Sequence, residues 1–369
     1  MSLQEEISYR SSQISSDSYK MSIGELINLY KEEEINIHPE FQRVFRWNKS
    51  QKTKLIESIM LGIPIPPIFV SQNEDGTWDV VDGVQRLSTI FEFVGILKDE
   101  EGNDCQPLSL IRTDYLPSFD GIQWKNSVLD KSFTKEQQLF FKRSHMDVII
   151  VKKESDSNTK YELFQRLNTG GSLLSDQEVR NCLMIMTNKK FYNLITKLDG
   201  NSDFRNCLPI SDRKVDEQYR IELLLRLLIA NNIQLDKEIN YSELSELLDK
   251  ETISLCNNDS LNYDYIESCF SKTFNLINTC FEDNSFKKYN GTKFSGSVLS
   301  SLFQVIAVGI YKNIDRILEN KESDIQTWLN NKVQSLSNDP VYLKNTEPGS
   351  RAIPRFINLS QLGFNYFRP

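Results

Sequence analysis

The sequence predicts an α+β protein, in which a domain with a small mixed sheet comes first and an all-α domain follows. Between residues 23 and 151, apolar residues recur with a period of two in some segments and of about 3.6 in others. From residue 191 onward the apolar spacing is helical, and no segment is typical of a strand. A chain of 369 residues, 39% of them hydrophobic, is long enough to bury more than one core.

We divide the chain into a polar lead (residues 1–20), a mixed domain (21–187) and a helical domain (188–369). Turn residues and aromatic residues alternate irregularly near 99–132, which predicts an insertion without regular structure.

In the mixed domain, the first predicted elements are a helix and a brief strand. Ser50 is the expected N-cap of the next helix, which Gly62 ends. A hairpin with a glycine-containing loop follows. Later elements include a helix that starts with the capping box of Ser175 and Glu178. The other predicted segments are helices at 23–30, 134–143 and 159–167, strands at 35–37, 68–71, 78–81 and 145–151, and helices at 215–230, 241–248, 263–281, 294–318 and 325–336.

The most informative stretch is 79–97, where an apolar strand runs through an Asp-Gly turn into an amphipathic helix. Gly83 permits a tight turn, and the apolar residues after it recur at helical spacing. An Asp-Gly pair is also the common signal of a β-hairpin. A second strand would alternate, so we favour the strand-turn-helix interpretation.

The start of that helix has the chemistry of an anion site. Free N–H groups and the partial positive charge of a helix start favour phosphate, and Arg86 adds a planar cation. Asp82 is a candidate ligand for a metal ion beside it. The alternative is that the turn is only structural and that Arg86 is a solvated residue of the first helical turn.

A second glycine-rich loop, at 168–171, precedes the helix that carries Arg180 and Asn181. Capping alone explains Ser175 and Glu178. The two adjacent glycines and Arg180 can alternatively form a second wall of an anion site.

The net charge of −8 argues against nucleic-acid binding over the whole surface. A local basic cluster nevertheless lies at 43–54, interleaved with aromatic residues. Its members are Arg43, Arg46, Lys49, Lys52 and Lys54. The lysines of such a run usually face water, whereas the aromatic and arginine part at 41–47 favours a binding role.

Other classes of protein are disfavoured. The apolar runs are too short for a membrane span, and the start is too polar for a signal peptide, so we expect a cytoplasmic protein without a membrane partner. The six cysteines form no C-x-x-C pair, and His38 and His145 lack metal-ligand spacing. We therefore expect neither zinc nor a histidine-and-metal nuclease centre.

Three stretches, taken in order, resemble one known family. They are F-Q-R at 41–43 with Trp47, V-D-G-V-Q-R-L-S-T at 81–89, and F-Q-R-L-N-T-G-G at 164–171 leading to E-V-R-N at 178–181. Together they resemble the N-terminal domain of GmrSD-type modification-dependent restriction enzymes, whose D-G-Q-Q-R signature precedes a helix. Val84 replaces the first glutamine of that signature. The resemblance implies a ParB/sulfiredoxin-like fold for the mixed domain.

The resemblance also implies a nucleoside triphosphate site with Mg²⁺ at Asp82 and DNA, including modified DNA, as a partner. We assign catalytic roles to Asp82, Gln85 and Arg86. The expected nucleotide-binding residues are Gln42, Arg43, Gly83, Ser88, Thr89, Asn168 and Arg180. The expected DNA-binding residues are Arg46, Lys49 and Lys52.

The leading hypothesis is a nucleotide-dependent DNA-sensing or regulatory protein of a restriction or anti-phage system, in which a separately encoded H-N-H subunit cuts the DNA. Three alternatives remain open. They are a DNA-binding module without hydrolysis, an autonomous metal-dependent nickase that uses Asp82, and a subunit whose helical half docks a catalytic partner.

Overall fold

The computed structural model describes residues 2–5, 16–37, 47–99, 101–152, 175–233, 241–320 and 324–369. The chain divides into two compact units, Met1–Leu173 and Leu174–Pro369. The first contains a five-stranded sheet and the second is dominated by helices, which confirms the predicted α+β architecture. The units divide one helix earlier than the predicted domain boundary at residue 187.

The sheet of the first unit is mixed, with the strand order β1-β5-β3-β4-β2. Strand β5 runs antiparallel to β1 and parallel to β3, while β4 runs antiparallel to β3 and parallel to β2. Strands β3 and β4 are the predicted hairpin. The strands are β1 (Ser16–Ser22), β2 (Ile35–Asn36), β3 (Ile68–Gln72), β4 (Trp78–Asp82) and β5 (His145–Val151).

Strand β1 was not predicted, because part of it lies in the expected polar lead. Among the described strands it lies at the edge of the sheet, and it pairs with β5. Residues 18–20 are exposed, and among residues 17–22 only Met21 is buried, so the segment lacks the apolar alternation that marks a half-buried strand.

Four helices of the first unit confirm predicted segments, with one corrected boundary. The N-cap of α2 is Asn48 and not Ser50, because the Asn48 side chain accepts from the Gln51 amide (2.9 Å) and Gln51 bonds back to the Asn48 amide. Gly62 ends α2 with a φ of 69°. The helices are α1 (Ile23–Lys31), α2 (Lys49–Leu61), α3 (Val84–Val94) and α4 (Lys135–Arg143).

The predicted insertion near 99–132 contributes to the core of the first unit. It has only short 3₁₀ turns and isolated bridges, yet Phe119 and Trp124 are buried. The ring of Phe93, from α3, lies 5.8 Å from Trp124 and 5.0 Å from Phe133. The predicted helix at 159–167 lies outside the described residues.

The described part of the second unit is helical, as predicted, apart from one short hairpin. Phe294 lies in that hairpin and not in a helix, because a turn with Gly291 at φ 95° precedes it and the long helix begins only at Ser300. Gln218 has a left-handed backbone conformation, with a φ of 54°, and separates two helices where one was predicted. The strands are β6 (Lys288–Tyr289) and β7 (Phe294–Ser295).

The helices of the second unit are α5 (Asp176–Thr187), α6 (Lys189–Asp199), α7 (Ser202–Cys207), α8 (Asp212–Asp216), α9 (Tyr219–Asn232), α10 (Leu244–Cys256), α11 (Tyr263–Phe281), α12 (Ser300–Asn320), α13 (Ile325–Leu336), α14 (Pro340–Thr346) and α15 (Ala352–Tyr366). Within the described ranges, no helix has both the length and the apolar content that crossing a membrane requires.

Helices α12 and α15 approach each other closely through two glycines. A Cβ atom on Gly309 would lie 2.3 Å from the Gly363 carbonyl oxygen, and one on Gly363 would lie 2.4 Å from the Val305 carbonyl oxygen. Asn313 donates from Nδ2 to the Gly309 and Phe364 carbonyls beside this crossing. The crossing therefore fixes which face of α15 is buried.

We expect Gly309→Ala to destabilise the second unit although alanine favours helices. The added methyl group must displace a backbone carbonyl, and such overpacking costs about 1–3 kcal/mol. Urea unfolding followed by circular dichroism measures the change. Thr327→Ala, at an exposed helical position, is the control. Equal stability of the Gly309→Ala and parent proteins would contradict this account of the crossing.

Candidate functional site

The site is built where β4 turns into α3. The register of β4 against β3 shifts here, because Val70 lies opposite Val80 but Phe69 lies opposite Asp82. Gly83 follows with a φ of 98°, a conformation that favours glycine. A Cβ atom there would also lie 2.4 Å from Ile68 Cγ2. The predicted strand-turn-helix junction is confirmed, and the hairpin alternative is wrong.

Helix α3 starts without a side-chain cap. Its intrahelical hydrogen bonds begin with the Leu87 amide, which donates to the Gly83 carbonyl (3.0 Å). Gly83 has no side chain to cap the first turn. In contrast, Asn48, Thr134 and Ser175 cap their helices with their own side chains. The backbone N–H groups of residues 84–86 are therefore oriented toward the space beyond the helix start.

Arg86 is held inside the protein. Its side chain is 8% exposed, and its Nη2 donates to Asp82 Oδ2 at 2.6 Å. Its Nη1 donates to the carbonyl oxygens of Pro66 (2.5 Å) and Pro67 (3.0 Å). The expectation was a phosphate ligand, whereas these contacts join the end of β4 to the entry of β3.

Asp82 is more accessible than Arg86. Its side chain is 27% exposed, and the hydrogen bond from Arg86 uses only the Oδ2 atom. A carboxylate has two acceptor oxygens, so Oδ1 can accept a further donor or bind a cation. In the described part of the chain, no group of three or more His, Cys, Asp or Glu side chains could hold a metal ion.

Ser88 and Thr89, which follow Arg86 on α3, differ in the hydrogen bonding of their hydroxyl groups. The Thr89 hydroxyl donates to the Gln85 carbonyl (2.7 Å) and is fully buried. Ser88 is 7% exposed, and its hydroxyl oxygen is buried without a hydrogen-bond partner in the described structure. Ser88 lies four residues after Val84, so the two residues are on the same face of α3.

Gln85 connects the helix start to the segment that precedes α2. Its Oε1 accepts from the Trp47 backbone N–H at 3.1 Å. Two turns further along α3, Glu92 forms an ion pair with Lys52. These two contacts fasten the N-terminal end of α2 to one face of α3. Gln42, Arg43, Arg46 and Asn168, four of the predicted site residues, lie outside the described residues.

Two of the predicted DNA-binding residues, Lys49 and Lys52, lie in the described part of the chain. Lys49 is exposed at the start of α2, where it can reach solvent anions, whereas the Lys52 ammonium is occupied by Glu92. The sequence did not predict that Glu92 pairs with Lys52, or that the carbonyls of Pro66 and Pro67 accept hydrogen bonds from Arg86. No local pattern marks these contacts, because their partners lie 19–40 residues away.

Arg180 belongs to a buried polar cluster of the second unit. Its side chain is 1% exposed, and its Nε donates to Asp249 Oδ1 at 2.7 Å. Its Nη2 donates to Ser245 Oγ (2.7 Å) and its Nη1 to Gln177 Oε1 (3.1 Å), while Glu222 lies 3.6 Å from Nη1. These partners tie α5 to α9 and α10, so the contacts do not support the predicted role of Arg180 in nucleotide binding.

Residues 23–185 match the family model described as the GmrSD restriction endonuclease, N-terminal domain. This part of the chain is a GmrSD N-terminal domain. The match covers less than half of the chain, and it includes the β4–α3 junction. No curated protein and no solved structure matches the chain significantly.

Within the GmrSD N-terminal domain, the D-G-V-Q-R sequence has a defined structural meaning. Asp82 ends β4, Gly83 makes the turn, and Val84 is partly buried against the core. Gln85 bonds to Trp47, and Arg86 bonds back to Asp82. The departure from the family pattern at Val84 therefore replaces an amide with an apolar side chain that packs on the core.

We expect Arg86→Met to lower the free energy of unfolding of the first unit by about 2–4 kcal/mol. The substitution leaves two carbonyls and Asp82 without their donor in a largely buried place. Arg86→Lys should cost less, because it keeps the charge but not the planar fork. Urea unfolding tests both variants, with the exposed Arg213→Met as the control. Wild-type stability of Arg86→Met would show that these hydrogen bonds do not hold the junction.

We expect Arg180→Met to destabilise the second unit by about 3–5 kcal/mol, because Asp249 would remain buried without its partner. The double variant Arg180→Met/Asp249→Leu should recover part of that loss. Thermal unfolding of the single and double variants measures the coupling. Strict additivity of the two substitutions would contradict a direct ion pair.

Proposed function

We propose that the chain is a component of a restriction or anti-phage system and that its β4–α3 junction binds the phosphates of a nucleoside triphosphate. The observation that carries this proposal is the combination of an uncapped helix start with a buried hydroxyl on Ser88 that has no hydrogen-bond partner among the described residues. A buried hydroxyl without a partner is unfavourable, and a ligand that accepts its hydrogen bond removes the penalty.

Phosphate fits the groups that are available here. The amides of residues 84–86 are hydrogen-bond donors, and the Ser88 hydroxyl supplies another. A phosphate oxygen accepts from such donors, and the positive end of the α3 dipole favours its charge. Gly83 supplies the tight turn that leaves these amides without intrahelical partners, because its φ of 98° favours glycine.

Arg86 supports this site as a positioning residue. The guanidinium keeps Asp82 at the end of β4 through the 2.6 Å hydrogen bond. Its positive charge, although paired, still lies within the first turn of α3, close to the expected phosphates. This assignment replaces the direct phosphate contact that the sequence suggested.

Mg²⁺ fits the site with Asp82 as its protein ligand. Mg²⁺ in nucleotide sites is usually bound by one or two carboxylates together with phosphates and water, so a single partly exposed carboxylate is sufficient. When bound, the ion would neutralise charge on the phosphates, which is the main requirement of phosphoryl transfer. We propose that the junction binds the nucleoside triphosphate and that hydrolysis follows. Gln85 accepts a hydrogen bond from the Trp47 backbone, so we assign it a positioning role in that reaction.

In this proposal the nucleotide is the switch of a DNA-sensing protein. The Gln85–Trp47 and Lys52–Glu92 contacts attach the N-terminal end of α2 to the helix that binds phosphate. Lys49 and Lys52 lie at that end of α2, and Arg43 and Arg46 precede it in the sequence. The DNA itself would be cut by a separately encoded H-N-H subunit.

We expect Ser88→Ala to weaken nucleotide binding about 10- to 100-fold without loss of stability. The hydroxyl has no partner in the described structure, so its removal leaves no other group unpaired. Calorimetric titration with ATP, GTP, CTP and UTP in MgCl₂, and with pyrophosphate, measures the affinity.

Thr252→Val is the matched control, because it removes another buried, unpartnered hydroxyl from the second unit. It should leave the affinity unchanged. If the parent protein binds none of these compounds at millimolar concentration, or if Ser88→Ala binds as well as the parent, the proposed phosphate site is wrong.

A further inference from the structure

The last two helices of the second unit form a basic region in an acidic protein. The whole chain has a net charge of −8. Residues 340–369, in contrast, contain Glu347 as their single acidic side chain and four basic side chains. These are Lys344, Arg351, Arg355 and Arg368. Positive charge is therefore locally in excess in this part of the second unit, as it is at 43–54 in the first.

Two of these charges, Arg351 and Arg355, lie at the start of the face of α15 that is not buried. Its inner face is buried, and Gly363 crosses α12 there. Arg351 precedes α15 as its N-cap, and Arg355, Asn358, Leu362 and Asn365 follow at intervals of four, three, four and three residues. This spacing places them on one stripe, and all five are exposed or partly exposed.

A groove lies between α14 and this stripe of α15, with a volume of about 510 Å³. Lys344 lines it, together with the side-chain amides of Asn345, Asn358, Gln361 and Asn365. Asn358 donates to Asn345 Oδ1 at 2.8 Å across the groove. Carboxylates are absent from this lining, and amides offer both donors and acceptors.

The basic side chains beside the groove are available for a ligand. In the described part of the chain, no ion pair engages Lys344, Arg351 or Arg355, although many other basic residues are paired. Lys344 lies on the short helix α14, and Arg351 and Arg355 lie at the start of α15, after a turn with Gly349 at φ 89°.

We propose that this face is a DNA-binding surface, with Arg351 and Arg355 on backbone phosphates and the groove amides against base edges. Unpaired arginines attract any polyanion. The amides favour base edges, which present donors and acceptors, over the carboxylates of an acidic peptide, which only accept. The surface lies in the second unit and does not depend on the proposed nucleotide site.

The test measures binding of a fluorescent DNA duplex to the full chain by anisotropy, without nucleotide, over a range of salt concentrations. Arg351→Gln/Arg355→Gln should weaken binding at least tenfold at low salt. It should also reduce the slope of log affinity against log salt by about two, since each lost phosphate contact contributes about 0.9.

Lys288→Gln/Lys293→Gln is the matched control, because it removes two charges from an exposed hairpin of the same unit. It should change neither affinity nor slope. Equal effects of the two double variants, absence of DNA binding by the parent, or equally strong competition by polyglutamate would each overturn the proposal. Loss of nucleotide binding in Ser88→Ala would leave this result unchanged, so the two proposals fail separately.

Discussion

The buried guanidinium of Arg86 is the interaction on which the first unit depends most directly. It bonds at once to the carboxylate that ends β4 and to two carbonyls that precede β3. A planar fork with fixed donor directions can satisfy such separated acceptors, and a flexible ammonium cannot do so equally well. The hairpin, the glycine turn and the start of α3 are therefore held in one arrangement by a single side chain.

That arrangement leaves the first turn of α3 open. Because Gly83 cannot cap it and Arg86 faces inward, the donors that remain are backbone amides and the Ser88 hydroxyl. Backbone donors are fixed by the helix and need no reorganisation when a ligand arrives. Among the residues that the structure describes, the junction thus combines a stabilising ion pair on one side with hydrogen-bond donors that have no partner on the other.

The sequence was informative wherever the signal was local. The turn at Gly83, the capping box at Ser175 and the helical spacing of the second half all rest on neighbouring residues, and the structure confirms them. Strand β1 was missed because an edge strand with polar residues carries no apolar pattern. The inward orientation of Arg86 was missed for another reason, since its carbonyl partners lie 19 and 20 residues away and proline identity does not reveal a carbonyl's direction.

The cluster around Arg180 has a consequence for how such domains can be exchanged between proteins. The arginine lies within the GmrSD N-terminal match, but Ser245 and Asp249, which neutralise or bond it, lie beyond the match. A recombinant or evolutionary fusion that joined residues 23–185 to an unrelated partner would remove the partners of Arg180 and uncover the apolar side chains of α5 that are buried in the second unit. Modular shuffling of this domain is therefore constrained to transfer α5 together with the α9 and α10 helices that complement it.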